Sequence, residues 1–438
     1  MTLSSTERLE MVSNQRTLIP HTYGRVDFSI DPERFAIGPG DETDLGPELA
    51  PGRSELLANA EQVARVRAYT MMGDAVADAY AALTPQHGAK ALITWLTQAC
   101  DHGLDGVPGA PPELARFIRE METLPSWLDP KLIEEGARIE RNAYANRSPF
   151  ATRGAIVGTF MNKYAALPMV QTGTLSHNSS ARRIKETATF YTSMVMPDAL
   201  DRHGLAFRSA AMVRLMHSMV RFNLLKAGDR WDVKTYGIPI PQIDQLPAGL
   251  VVAGAIAEHA LAHGRDTFTP AERARVELAR YRCFLLGLPE ELLATTPDGI
   301  WSLLQTRRAT LRKGFDENCV ALVRATMDAD LTADHSLHER VFAWMERGFA
   351  RVVLVPELLS ADKRAASGLR ASPSHYAGAA AATITIAMRM GAYRAAASIP
   401  PFRAAADRSL VRSLRKQLAR YGHAEFSTNA ETYRPAHA

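Results

Sequence analysis

The sequence contains few cysteines, and they are not arranged as a cross-linking or metal-binding motif. Cys100, Cys283 and Cys319 are isolated from one another, and none belongs to a C-x-x-C motif. This excludes a disulfide framework, a zinc ribbon and a covalently attached c-type haem. Because unpaired cysteines are typical of a reducing compartment, we expect a cytoplasmic location.

Signals for export and for membrane insertion are also missing from the sequence as given. The first residues, MTLSSTERLEMVSNQR, contain neither the apolar core of a signal peptide nor a twin-arginine motif. No run reaches the length of about 18 apolar residues that a membrane span requires. We therefore expect no integral membrane segment. A precursor trimmed before Met1 would give the same sequence, so an exported form stays open.

The chain lacks a basic arm or tail. Its 51 basic and 47 acidic side chains are spread along all 438 residues, so nucleic-acid binding is not indicated. Hydrophobic residues make up 46% of the chain and charged residues 22%, which are ordinary values for a globular protein with a packed core. The oligomeric state is not specified by any of these features.

Strand-like alternation is almost absent, whereas helical patterns dominate from Ser54 onward. We therefore predict an all-α fold. Three segments are expected along the chain: an irregular N-terminal arm, one all-helical domain and a frayed C-terminal tail. Their bounds are residues 1–53, 54–423 and 424–438.

Several helix boundaries are marked by the sequence. Five prolines and five glycines within residues 20–52 disfavour long helices there. Ser54 is the predicted N-cap of the first helix of the body. A second start lies at Asp129, which precedes a proline, and a third has a capping box from Thr269 to Glu272.

Residues 207–225, FRSAAMVRLMHSMVRFNLL, form the most apolar predicted helix with an internal histidine. Arg214, His217 and Arg221 lie on one stripe, because residues three or four apart share a helix face. Burying two guanidinium groups is costly unless anions neutralise them. Haem b would satisfy this stripe: the imidazole would ligate iron and the arginines would pair with the propionates. The alternative is a core histidine whose neighbouring arginines bridge to acids on other helices.

A second unusual segment lies upstream, where no Asp or Glu occurs between Glu140 and Glu186. The segment needs an anion from elsewhere in the fold, from a cofactor or from a ligand, unless it is a solvated basic face. Arg183 and Thr187 are four residues apart and share a face, so both could interact with one bound oxygen species. Seven basic residues fall in the segment: Arg141, Arg147, Arg153, Lys163, Arg182, Arg183 and Lys185.

Taken together, these segments resemble the haem-dependent oxygenases typified by latex-clearing protein and the MpaB oxygenase of mycophenolic acid biosynthesis. The resemblance runs from about Leu124 to about Glu290. Its strongest part is the histidine helix and the WDVKTYGIPIPQID run that follows it. Weaker parts are LPSWLDPKLIEEGA, RRIKET and RCFLLGLPEELL.

The resemblance implies a globin-like helical core with additional helices and one non-covalent haem b, which uses dioxygen as co-substrate. His217, in the family's histidine motif, would be the axial ligand of the iron. Arg183 and Thr187, in the family's arginine-x-x-x-threonine motif, would lie near the oxygen-binding position. Members of known activity cleave carbon–carbon double bonds of isoprenoid chains, so the implied substrate is a small apolar alkene.

Two departures from the latex-clearing pattern concern acid/base chemistry. In those proteins a lysine precedes the distal threonine, whereas here that position is Glu186, and Lys185 lies one residue earlier. The glutamate that they carry upstream as a proposed base has no counterpart, because the chain has no acid from residue 141 to 185. We therefore consider Glu186 a candidate acid/base and Lys185 a candidate cofactor-binding cation.

Other functions remain as alternatives at this stage. The same haem scaffold would also suit a peroxidase or monooxygenase acting on a small aromatic or a terpenoid. A metal hydrolase could use His259 and His263, which are four residues apart on a helix, with Glu258 adjacent. A non-catalytic helical carrier of an apolar ligand is the third alternative, and the 16 methionines are compatible with its cavity.

Overall fold

A computed structural model describes residues 3–171, 177–226, 228, 231–334 and 336–422 of the chain. Within these ranges it contains helices and no β-strand, and the all-α prediction is confirmed. Two isolated β-bridges join Phe35 to Leu311 and Thr43 to Arg312. The predicted frayed tail, residues 424–438, lies outside the described residues.

The first half of the chain contains short and medium helices. They are α1 (Ser5–Leu18), α2 (Pro20–Tyr23), α3 (Arg53–Ala58), α4 (Ala60–Thr70), α5 (Ala75–Ala81), α6 (Thr84–His87), α7 (Ala89–His102), α8 (Pro112–Glu122), α9 (Pro130–Asn146), α10 (Ser148–Gly158), α11 (Lys163–Gln171), α12 (His177–Ser193) and α13 (Leu205–Lys226).

The second half contains the longest described helix, which covers Pro373–Ser398. The helices of this half are α14 (Val233–Tyr236), α15 (Gln242–Ala262), α16 (Pro270–Leu285), α17 (Pro297–Thr310), α18 (Glu317–Asp328), α19 (Leu337–Phe349), α20 (Val355–Leu358), α21 (Ala361–Ala366), α22 (Pro373–Ser398) and α23 (Pro400–Arg420). Short 3₁₀ segments cover Ala50–Gly52, Leu104–Gly106 and Glu290–Leu292, and a π-helical segment covers Ala350–Leu354.

The N-terminal arm is only partly irregular. The prediction was wrong for residues 5–18, which form α1 behind a reciprocal capping box between Ser4 and Glu7. Residues 24–49 contain no helix, in agreement with their proline and glycine content. Backbone hydrogen bonds attach this stretch to the end of α17; for example, the amide of Ala36 donates to the carbonyl of Thr310 over 2.8 Å.

Two of the three predicted helix starts are correct. α9 begins at Pro130 and α16 begins after the capping box of Thr269 and Glu272. Ser54 is not an N-cap, because the turn at Ala50–Gly52 leads directly into α3 at Arg53. The long helical pattern that follows Ser54 is divided into three helices, since Asn59 caps α4 and Asp74 caps α5.

The chain divides into two compact units, which we describe separately. Unit 1 contains residues up to Gly136 together with Leu200–Lys313. In it, α13 packs against α2, α5, α7 and α16, and α15 packs against α16 and α17. Because α13 has neighbours on several sides, most of its residues are buried. The single domain expected over residues 54–423 stays a prediction.

Unit 2 contains Ala137–Ala199 and residues from Gly314 onward. Its largest helix contact joins α19 to α22. Arg153 on α10 is fully buried: its Nε donates to Glu346, and its Nη1 donates to the carbonyls of Thr326, Met327 and Ala329. One guanidinium therefore satisfies carbonyls that the C-terminus of α18 leaves open.

Candidate functional site

His217 lies in the middle of α13, whose observed bounds confirm the helix predicted over residues 207–225. It is only partly buried, as are Val213 and Met216, while the other positions of α13 from 209 to 222 are buried. The Nδ1 atom of His217 is 3.3 Å from Oε1 of Gln245 on α15. A ring N–H at Nδ1 of His217 would donate to this amide oxygen, because an amide oxygen only accepts hydrogen bonds.

Arg214 is buried and neutralised by carboxylates of unit 1. It donates two hydrogen bonds to Asp74, at 2.6 and 2.9 Å, and a third to Glu120 at 2.7 Å. Its guanidinium also lies over the ring of Phe117, 4.9 Å from the centroid. Two carboxylates therefore compensate the desolvation of this cation.

Arg221 is fully buried and has its own acid, Asp78, one turn after Asp74 on α5. It donates to both carboxylate oxygens of Asp78 at 2.8–3.1 Å, and to the carbonyl of Pro239 at 3.0 Å. The hydroxyl of Tyr23 donates to Asp78 at 2.5 Å. Burial raises the pKa of Asp78, and Arg221 opposes that rise.

These contacts correct the expectation that haem propionates neutralise Arg214 and Arg221. The chain supplies the anions itself, as the alternative interpretation of the stripe proposed. Sequence reasoning missed Asp74 and Asp78, although two carboxylates four residues apart in an apolar helix were a signal of paired cations. It also missed Gln245, for which a single sequence gives no signal.

The four other predicted site residues lie on α12 in unit 2. Arg183, Lys185 and Thr187 are partly buried and Glu186 is buried. Arg183 and Thr187 are one helical turn apart, as expected, and Nη1 of Arg183 contacts the sulfur of Met169 at 2.6 Å. α12 therefore combines two hydrogen-bond donors with an adjacent buried carboxylate.

Glu186 has an unusual environment for a carboxylate. Its Oε1 lies 3.5 Å from Nε of Arg182, and this oxygen accepts no hydrogen bond within the described part of the chain. Burial raises the pKa of Glu186, while Arg182 and Arg183 act to lower it. Such a group is suited to holding a proton, and a buried acid/base would need this property.

We expect Glu186→Gln to change the pH dependence of stability. Because burial raises the pKa of Glu186 in the folded chain above its ordinary value, the wild type loses stability as pH rises through that raised pKa. The melting temperature of the variant should match the wild type near pH 4, exceed it increasingly as pH rises toward the raised pKa, and keep a constant excess above that pKa. Thermal unfolding across this range measures the difference; a constant offset would contradict the assignment.

The basic segment upstream of Glu186 is partly neutralised within unit 2. Arg141 pairs with Asp407 at 2.8 Å and Arg153 pairs with Glu346 at 2.8 Å. Both acids lie more than 190 residues further along the chain. The prediction that the segment requires an anion from elsewhere in the fold is correct for these two arginines.

The histidine pair proposed for a hydrolase lacks the remaining parts of a metal site. His259 and His263 are exposed, with ring centroids 4.3 Å apart, and Nδ1 of His263 contacts the carbonyl of His259. No group of three His, Cys, Asp or Glu residues that could hold a metal occurs in the described ranges. A catalytic zinc site normally has three protein ligands, so this alternative loses its support.

Comparison with known proteins agrees with the all-α fold. Residues 143–420, more than half of the chain, match the family described as ER-bound oxygenase mpaB/B'/Rubber oxygenase, catalytic domain. The chain belongs to this family. None of the described helices has both the length and the hydrophobicity needed to cross a membrane.

Two relatives illustrate the extent of the similarity. The rubber oxygenase of Streptomyces sp. (strain K30) is 24% identical over 208 residues, which cover 45% of this chain and 48% of that protein. The chain thus matches about half the length of this curated relative. A solved structure of latex clearing protein in the closed state superposes with a TM-score of 0.53 at 21% identity, covering 80% of this chain and 91% of the other. This superposition shows a shared fold.

Proposed function

We propose that this protein is a haem b-dependent oxygenase that uses dioxygen to cleave a carbon–carbon double bond of an apolar, isoprenoid-type substrate. The observation that carries the proposal is His217, a partly exposed imidazole in a buried helix whose Nδ1 contacts an amide oxygen. Membership in a family described by its oxygenase activity supports the same conclusion.

The residues around His217 fit an axial haem ligand. A neutral imidazole that donates from Nδ1 would present Nε2 as the ligand atom for iron, and metal-ligating histidines commonly have such a partner. Val213 and Met216, beside His217, offer apolar contacts to a macrocycle. Arg214 and Arg221 do not fit as propionate ligands, because Asp74, Asp78 and Glu120 occupy them. We therefore keep only Lys185 as the proposed cation that pairs with a haem propionate.

Bound haem would supply the redox chemistry with dioxygen, and the chain would supply the surrounding groups. Arg183 and Thr187 would donate hydrogen bonds to negative charge that develops on oxygen. Glu186 would hold or release a proton at its carboxylate. Cleavage of one double bond by one dioxygen molecule gives two carbonyl groups, so both oxygen atoms are consumed and no external reductant is required.

Product analysis tests this proposal. Hemin-loaded protein, reduced to the ferrous state and then incubated with squalene and isotopically labelled dioxygen, should give two carbonyl fragments, each with one labelled oxygen atom. A single oxygenated product with an intact carbon skeleton would instead indicate a monooxygenase. Failure to bind hemin would contradict the proposal and favour the carrier.

A matched pair of variants tests the role of α12. Arg183→Ala should retain hemin and lose most cleavage activity, since removing one such donor typically costs about 100-fold or more in rate. Arg147→Ala, which removes an exposed arginine of the same unit, should keep full activity. Equal activity of both variants would exclude Arg183 from the reaction.

A further inference from the structure

The long helix α22 exposes an apolar face that no other helix covers in the described structure. One side is buried through Gly378, Ala379, Ala382 and Ile386. The opposite side carries Tyr376, Ile384 and Met388, whose exposed fractions are 58%, 59% and 68%. No Asp, Glu, Lys or Arg occurs from Pro373 to Met388. This face is therefore an uncharged apolar stripe rather than a scatter of single exposed residues.

The stripe leads to an apolar corner between α22 and α23. Ile399 ends α22 and precedes α23, and it is followed by two exposed prolines and by Phe402. Ile399 is 47% exposed and Phe402 57%. Nε of Arg403 donates to the carbonyl of Ala397 at 3.2 Å, so a cation lies beside the corner.

The charge of this hairpin is strongly positive. Residues 373–420 contain eight basic side chains and one acidic side chain, whereas basic and acidic residues nearly balance over the whole chain. The single acid, Asp407, is paired with Arg141. Four exposed cations follow one another on α23 without an ion pair to any residue described in the structure: Arg408, Arg412, Arg415 and Lys416.

We propose that the α22–α23 hairpin docks on an anionic membrane surface. The apolar stripe and the Ile399–Phe402 corner would enter the headgroup region, and the cations of α23 would contact anionic headgroups. A second copy of the chain is a poorer partner, because symmetric packing would bring the same arginines of both copies together. The proposal concerns binding alone and does not rest on the oxygenase function.

Vesicle flotation with the full chain tests the proposal. Binding is expected to vesicles of phosphatidylcholine with phosphatidylglycerol, to be weak on phosphatidylcholine alone, and to fall at high salt because exposed charges are then screened. Equal binding to both vesicle types, or none to either, would overturn the proposal. Haem and substrate are absent from this assay, so its result is independent of the oxygenase tests.

Substitutions on the stripe provide the matched comparison. The variant with Ile384→Asp, Met388→Asp and Phe402→Asp should lose roughly tenfold or more of its partitioning, since it places charges in the apolar interface. Leu337→Asp on α19, at a position that is 74% exposed in the same unit, should bind as the wild type does. Circular dichroism checks that both fold.

Charge reversal of the exposed arginines on α23 gives a second comparison. Arg408→Glu, Arg412→Glu and Arg415→Glu together should abolish binding to anionic vesicles, whereas Lys90→Glu with Arg273→Glu at exposed positions of unit 1 should have little effect. Unchanged binding of the α23 variant would contradict the proposal. The proposal would also be contradicted if light scattering showed a stable dimer of the wild type and a monomer of the Ile384→Asp variant. A second copy of the chain would then cover the stripe.

Discussion

Replacing Asp78 by alanine is expected to destabilise the protein by about 3–5 kcal/mol, because the substitution leaves the buried Arg221 without its counter-charge. Both side chains of this pair are fully buried. The backbone carbonyl of Pro239 would remain as an acceptor for Arg221, but a neutral carbonyl does not replace a carboxylate. Tyr23 would also lose the acceptor of its hydroxyl.

Chemical denaturation of the Asp78→Ala variant measures this loss. The control is Asp31→Ala, which removes the acid of an exposed pair with Arg67 and should cost at most about 1 kcal/mol. A second variant, with Asp78→Leu and Arg221→Met, should recover part of the lost stability, since a neutral pair leaves no buried charge uncompensated. If Asp78→Ala lowers the free energy of unfolding no more than the control does, the Asp78–Arg221 pair is not an essential part of the unit 1 core.

The same pair explains why the sequence predicted the helix but not its partners. The spacing of Arg214, His217 and Arg221 follows from the helical period and is visible in the sequence. The acids that pair with Arg214 and Arg221 are Asp74, which caps α5, and Asp78 within α5, and they lie 140 and 143 residues earlier. Such a distance is closed only by tertiary packing, so the need for an anion could be predicted while its source could not.

Helix boundaries could also be predicted where local hydrogen bonds fix them, and not where contacts with distant residues do. The capping box of Thr269 was predicted because its two hydrogen bonds are local and reciprocal. The equivalent box of Ser4 and Glu7 carries the same pattern and could have predicted α1. Ser54 is not the cap because the preceding turn leads into α3 one residue earlier, at Arg53, whose guanidinium donates to the carbonyls of Ala36 and Gly38 in the arm.

The candidate site was predicted to different depths in the two units. His217 and the donors of α12 could be named as candidates from motifs, because motifs report residue types at fixed spacing. The burial of Glu186 and the contact of His217 with Gln245 depend on neighbouring elements and were not predictable from the sequence. Such neighbours influence where a proton lies on a carboxylate or an imidazole, which matters for any role as an acid, a base or a ligand.

His217→Ala is expected to abolish high-affinity hemin binding. In the proposed function its Nε2 is the protein ligand to iron, and we propose no other side chain described in unit 1 as an iron ligand. Titration of the purified apoprotein with hemin, followed by the Soret absorbance, measures the loss. Because the ring is only partly buried, the variant should remain folded, and circular dichroism checks this. His259→Ala, which removes an exposed histidine of α15, should bind hemin as the wild type does.

The variant Gln245→Leu tests the predicted iron ligation by His217 more specifically. It removes the acceptor of the Nδ1 proton and keeps the ligand, so hemin affinity should fall by roughly 10–100-fold, less than for His217→Ala. Added imidazole should restore a Soret band to His217→Ala, by replacing the missing ligand, but should not correct Gln245→Leu. If His217→Ala binds hemin as tightly as the wild type, with an unshifted Soret band, another residue ligates the iron. The contact between His217 and Gln245 would then have a purely structural role in joining α13 to α15.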